Sequence, residues 1–265
     1  MRVCSLARAF FMRDLVTDAS YKASVLIELL DVVIGVAAFF YLSRVIGDRQ
    51  PDGYDAFGFI LVGIAANNAM STALSCFSAS VRLDQQTGTL KPVLASPLSA
   101  AAVVALGSLY PLVRSAGSAV ASLLGGALLF GFPASAVNLP AAGLVLLVSL
   151  GAFAALGVLS AVFTLAWKRG DPLIWLFGAL SWLLSGVFFP VTSLPPALQW
   201  AARLLPLTYA IDGLRATLLK GASLADVSFE LSVLASIAVV GLPASIALVG
   251  MAVAWGKRTG SLAHA

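Results

Sequence analysis

Six apolar stretches dominate this chain, at 24–45, 57–80, 99–132, 139–167, 172–189 and 229–255. Crossing roughly 30 Å of hydrocarbon takes about 20 apolar helical residues, so most of them are long enough to span a bilayer. In lipid a backbone must satisfy its own hydrogen bonds, so such stretches are helices. The 99–132 stretch is too long for one straight crossing, at about 50 Å of helix. It either tilts or begins outside the hydrocarbon. Only 11% of the residues are charged and 60% are hydrophobic, against about 25% charged in a soluble domain. That excludes a disordered chain, and 265 residues cannot hide so much apolar surface from water. Cys4 and Cys76 are the only cysteines, which excludes a disulfide scaffold. The expected fold is all-α: a polytopic membrane protein of six transmembrane helices.

The connections are readable. Residues 47–53 form a polar Gly/Pro loop, Phe132-Pro133 opens a short uncharged link, and Lys168-Arg169-Gly170-Asp171-Pro172 breaks the chain again. With the N-terminus inside, the inner segments carry Arg2, Arg8, Arg13, Lys22, Arg82, Lys91, Lys168, Arg169, Lys257 and Arg258. The outer ones carry Arg44, Arg49, Arg203, Arg215 and Lys220. This excess predicts both termini in the cytoplasm. No cleavable signal peptide is expected, because Arg13 and Asp14 interrupt the first apolar run. Residues 1–22 read as a cytoplasmic N-terminal segment. It is either an interfacial helix with Val3, Leu6 and Phe10 on one face, or a basic tail that only fixes topology.

Catalytic chemistry has little to work with. The nearest approach to a phosphate loop runs from Gly250 to Gly256-Lys257-Arg258. It has one residue too many between its glycines, and Arg where Ser or Thr should hold magnesium. The one histidine, His264, lies in the tail, so no His-based metal site or Ser-His dyad is expected in the membrane. Leu183-Leu184-Ser185-Gly186 lacks the first glycine of a GxSG nucleophile, and Glu28 and Asp31 do not form a paired-acid motif. Basic residues are scattered over short loops, which gives nucleic-acid binding no support. No metal and no cofactor is expected in this chain.

Two interrupted stretches carry more information. The first is the inner segment 82–98, polar at its start and cut by Pro92 and Pro97. The second is the outer segment 188–215, apolar but cut by Pro190, Pro195, Pro196 and Pro206. A helix from Pro195 to Leu205 reaches only about 16 Å. Such broken helices are tolerated at membrane depth where they pack on protein or line a cavity. A re-entrant outer hairpin before the last helix is therefore expected, with Trp200 and Tyr209 at the headgroup level.

These residues resemble the permease subunits of type-2 ABC exporters. That group includes daunorubicin-resistance permeases, the nodulation lipo-oligosaccharide exporter permease, and polysaccharide and teichoic acid exporters. The likeness rests on Thr-Gly-Thr-Leu-Lys-Pro-Val-Leu-Ala-Ser-Pro-Leu (87–98), Ser-Gly-Val-Phe-Phe-Pro-Val-Thr-Ser-Leu-Pro (185–195) and Leu-Pro-Leu-Thr-Tyr-Ala-Ile-Asp-Gly-Leu-Arg (205–215). They occur in order, on opposite sides of the expected membrane, and the resemblance covers nearly the whole chain as a single permease domain, 1–265. One departure is Leu83-Asp84-Gln85-Gln86, where such permeases often carry a Glu-Arg-Glu-type run.

The resemblance implies a permease of the bacterial inner membrane that exports a drug-like or antibiotic amphiphile, or alternatively a lipid-linked saccharide. It implies a second permease copy, as a homodimer, and a separate ABC ATPase subunit that binds ATP and Mg. Segment 82–98 is then the coupling segment, with Asp84, Gln85, Thr87, Gly88, Thr89, Leu90 and Pro92 touching the ATPase. Arg114, inside the third stretch, is costly in lipid. It either sits near the inner boundary or pairs with Glu28 or Asp31. Phe188 and Phe189 at the outer hairpin either pack or touch cargo.

Overall fold

A computed structural model describes residues 2–20, 22–46, 54–86, 100–131, 137–166 and 172–259. Helices α1 (Arg2–Ser20), α2 (Lys22–Ile46) and α3 (Ala56–Gln86) are followed by α4 (Ala100–Gly107) and α5 (Leu109–Phe130). Then come α6 (Leu139–Ala166), α7 (Pro172–Leu184), a 3-10 turn (Val191–Ser193), α8 (Pro196–Arg203), α9 (Pro206–Leu219) and α10 (Ser228–Thr259). The protein is all-α, as its apolar runs require.

Four stretches are long and apolar enough to cross a bilayer: Ala56–Ala79, Ala105–Phe130, Leu139–Thr164 and Ser228–Ala252. Shorter apolar helices, Val32–Val45 and Ile174–Leu184, stand where the first and fifth spans are expected. The 99–132 stretch resolves by breaking. α4 and α5 meet at Ser108, which is fully buried, and α4 packs against α1, α3 and α10.

α3 is the centre of the bundle. Its spanning window is 83% buried, against 17% for those of α5 and α10, and it packs on α2, α5, α6, α7 and α9. Two glycines let helices approach closely, as membrane packing favours. A methyl at Gly157 of α6 would collide with the carbonyl oxygen of Ala73 and the ring of Phe77 on α3; one at Gly126 of α5 would collide with Leu61. α6 and α10 form the most extensive helix pair. Across it, Ser245 Oγ donates to the Ala155 carbonyl at 2.9 Å, two residues beyond Pro243.

At one end of the bundle the chain leaves α7, turns at Gly186 (φ 77°) and re-enters as α8 and α9. The proline cuts in the sequence fall at these boundaries. Pro196 and Pro206 open α8 and α9, where a missing N–H costs nothing. Gln199 Nε2 donates to the Leu194 carbonyl at 2.8 Å, and Thr208 Oγ1 to the Ala202 carbonyl at 2.7 Å. The hairpin is thus closed on itself. Asn138 then holds it to α6: its Nδ2 donates to the Ala222 carbonyl at 3.0 Å and its N–H to that of Thr217 at 3.0 Å. The opposite end carries α1, whose Phe11 meets Tyr110 of α5 edge-on at 5.5 Å.

Candidate functional site

Arg215 of α9 joins three segments. Its Nη2 donates to the Phe59 carbonyl at 2.8 Å and to the Val187 carbonyl at 3.0 Å, and its Nε donates to the Phe59 carbonyl at 3.2 Å. The guanidinium also lies over the Phe59 ring, 3.3 Å from its centroid. Only 3% of the residue is exposed. Burying a cation is expensive unless it is fully hydrogen-bonded; here the carbonyls supply the compensation, and the Val187 carbonyl belongs to a bend with no helical partner for it. Gly63 makes the junction possible. A Cβ there would stand 2.6 Å from Val187 O and 2.9 Å from Arg215 Nη2. The sequence reading counts Arg215 among the cations of an outer segment and gives it no further role; the structure buries it at this junction, and Gly63 lies too far along the chain to suggest it.

Next to this junction two buried polar groups stand unsatisfied. Both amide atoms of Asn67 and the Ser185 hydroxyl lack a hydrogen-bond partner among the described residues. Asn67 lies on α3 between two crossings with the α7 segment: Gly63 against Val187, and Met70, whose sulfur accepts from Ser181 Oγ at 3.8 Å. Its neighbour Asn68 is exposed in the middle of a spanning window. An amide at that depth belongs against protein or in a polar cavity.

Three cavities follow α3, with α5 along one side. The middle one, about 450 Å³, has Asn68, Ser71, Thr72, Ser118, Ser122 and Trp182 on its wall. The one at the α1 end, about 400 Å³, holds Asp14, Tyr110, Arg114 and Ser115 and shares Thr72 and Ser118 with the middle cavity. The third, about 360 Å³, at the hairpin end, holds Ser43, Arg44 and Asp55. Between the middle and third cavities stand three packed rings. Phe40 meets Phe57 at 5.3 Å and Phe130 at 4.6 Å, and Phe57 meets Phe130 at 6.1 Å.

The residues singled out by sequence fall in three places. Arg114 is half-buried in the cavity at the α1 end. The side chains of Glu28 and Asp31, its candidate partners, lie outside the described residues. Phe188 and Phe189 are both half-buried beside the Gly186 bend, and Phe188 stacks on Trp182 at 5.3 Å with 27° between the rings. That stack ties the hairpin aromatics to the wall of the middle cavity. In the coupling segment, Asp84 and Gln85 continue α3 to its end at Gln86. Thr87, Gly88, Thr89, Leu90 and Pro92 lie outside the described residues.

Four helices long and apolar enough to cross a bilayer, packed in one bundle, describe a multi-pass membrane protein. A family model described as ABC-2 type transporter matches residues 5–219, from α1 through the end of α9. The chain belongs to the ABC-2 type transporter family, as a permease subunit. No curated protein matches it.

Proposed function

We propose that this chain is the permease of an ATP-driven exporter in the bacterial inner membrane, with both termini cytoplasmic, moving an amphiphilic or hydrophobic cargo outwards. Two copies pair as a homodimer, and two copies of a separate ATPase subunit bind ATP and Mg. The observation that carries the reading is the middle cavity, where Asn68 at mid-span and several hydroxyls share the wall with Val36, Phe39, Leu61 and Ile64, in a chain whose family match runs through nearly every span. A permease that receives its work from another subunit needs a stiff connection to it. α3 supplies one, because a single helix runs from the Arg215 junction to Asp84 and Gln85 at the start of the coupling segment. Trp175, Trp182 and Leu183 are exposed on α7, and a second copy laid on that face covers Trp182 at the cavity wall.

The test is reconstitution with and without the partner ATPase. Export into vesicles is expected only with both subunits and ATP. Alanine substitutions at Asp84, Gln85, Thr87, Gly88, Thr89, Leu90 and Pro92 are expected to leave insertion and ATP hydrolysis in place while export falls by about tenfold or more. Export by the chain alone, or unchanged export in those variants, rejects the reading.

A further inference from the structure

The middle cavity is set apart by the state of its hydroxyls. A serine or threonine inside a membrane helix often turns its hydroxyl onto a carbonyl three or four residues earlier. Ser75 on α3, Ser115 and Ser122 on α5 and Ser149 on α6 all do so, at 2.7–3.2 Å. Ser71, Thr72 and Ser118 do not. Their hydroxyls, and both amide atoms of Asn68, make no hydrogen bond among the described residues. Asn68, Ser71 and Thr72 follow i, i+3, i+4 spacing and so share one face of α3, and Ser118 lines the same cavity from α5.

All four residues lie inside spanning windows, Ala56–Ala79 and Ala105–Phe130, where lipid offers no hydrogen bond. Polar groups idle at that depth carry a desolvation cost until something polar meets them. Charge and hydrogen-bonding capacity limit what that can be. None of the described residues on the cavity wall is charged. Asp14 and Arg114 line the neighbouring cavity, and Asp14 is already paired with Arg13 at 2.8 Å. An ionised head would therefore enter the middle cavity without a counter-charge. A phosphodiester only accepts hydrogen bonds and a quaternary ammonium makes none, whereas the wall's hydroxyls and carboxamide both donate and accept. A head rich in hydroxyls matches them group for group. Val36, Phe39, Leu61 and Ile64 keep the rest of the wall apolar, with Trp182 beside them, and the volume of about 450 Å³ is ordinary for a small-molecule site. We infer that the middle cavity binds the uncharged, hydroxyl-bearing head of an amphiphile, with Asn68, Ser71, Thr72 and Ser118 setting its specificity. The inference deepens the exporter reading and rests on it for the cargo's passage, but not for the binding preference.

The test uses the purified full-length chain in lipid nanodiscs, free of sugar-headed detergent. Three dodecyl probes carry a photoreactive diazirine next to the head and differ in the head alone, which is glucosyl, methyl phosphate or trimethylammonium. The glucosyl probe is expected to label α3 and α5 about tenfold more than either charged probe. Asn68→Leu and Thr72→Val are each expected to lower glucosyl labelling by about threefold or more. Thr72→Val keeps the shape of the side chain, so its Tm is expected to stay at that of the parent. Equal labelling by the three probes, or glucosyl labelling unchanged in either variant, overturns the inference. Free methyl glucoside is expected to compete weakly. Competition equal to that of dodecyl glucoside at the same concentration assigns the site to a soluble ligand and also overturns the inference. If the head preference holds while ATP and the ATPase drive no export, the exporter reading fails and the site stands. If export is ATP-driven and the preference is absent, the site fails and the exporter reading stands.

Discussion

Arg215 Nη2 lies 2.8 Å from the carbonyl oxygen of Phe59, a residue 156 positions earlier in the chain. One guanidinium thereby fastens α9 to the start of α3, and its bond to Val187 adds the bend that follows α7. The family match ends at Leu219, the last residue of α9, so this fastening lies inside the matched region.

Removing the guanidinium leaves the Val187 carbonyl without this donor. Arg215→Ala is expected to cost about 3 kcal/mol of stability, read as a lowered Tm of the purified protein in detergent. Arg215→Lys recovers little, because an ammonium lacks the fork that serves two carbonyls. Gly63→Ala is expected to resemble Arg215→Ala, since its methyl meets the Val187 oxygen and the guanidinium together.

Asn67 is predicted to behave in the opposite sense. Its amide is buried without hydrogen bonds among the described residues, so Asn67→Leu removes a desolvation cost and is expected to raise stability by about 1 kcal/mol. ATP-driven export is expected to fall in the same variant if the amide serves cargo or a second subunit. A variant that is more stable and fully active assigns Asn67 no part in transport.

The α6–α10 pair offers a smaller, cleaner measurement. Ser245→Ala removes the 2.9 Å bond to the Ala155 carbonyl and leaves the close helix approach intact. The expected loss is about 0.6–1 kcal/mol, the usual worth of such a bond inside a membrane bundle. Gly157→Val, by contrast, forces α6 away from the Ala73 carbonyl and is expected to cost about 2–3 kcal/mol. Unfolding curves of the two variants in one detergent separate these effects.

Acid is expected to loosen the turn before α10. Asp226 is exposed and accepts from the Ser223 hydroxyl and backbone N–H, both at 2.8 Å, and these bonds hold its carboxyl below the usual carboxylate range. A carboxyl whose folded pKa is lowered contributes stability above its unfolded pKa, about 3.9, and loses it as pH falls through the folded value. The Ser223 amide should therefore exchange faster, relative to its intrinsic rate, only in strong acid. Asp226→Asn should exchange quickly at every pH.

The sequence by itself settled what local physics settles. Runs of 18 or more apolar residues must be helices in lipid, so the all-α class and the family were legible; of the six expected spans, four are long and apolar enough among the described residues to cross a bilayer. The sequence also singled out Arg114 as a cation costly in lipid, but it ran the fifth span through Phe189, whereas the helix ends at Leu184. It gave Arg215 no partner, because Phe59 and Val187 are brought to it from elsewhere in the chain. The aligned cavities were equally invisible, since Asn68, Ser118 and Trp182 share a wall only after three helices have packed. Hydrophobic length is a property of neighbouring residues, whereas a compensated buried charge and a polar cavity are properties of residues distant in sequence, and only the tertiary structure decides which of them meet.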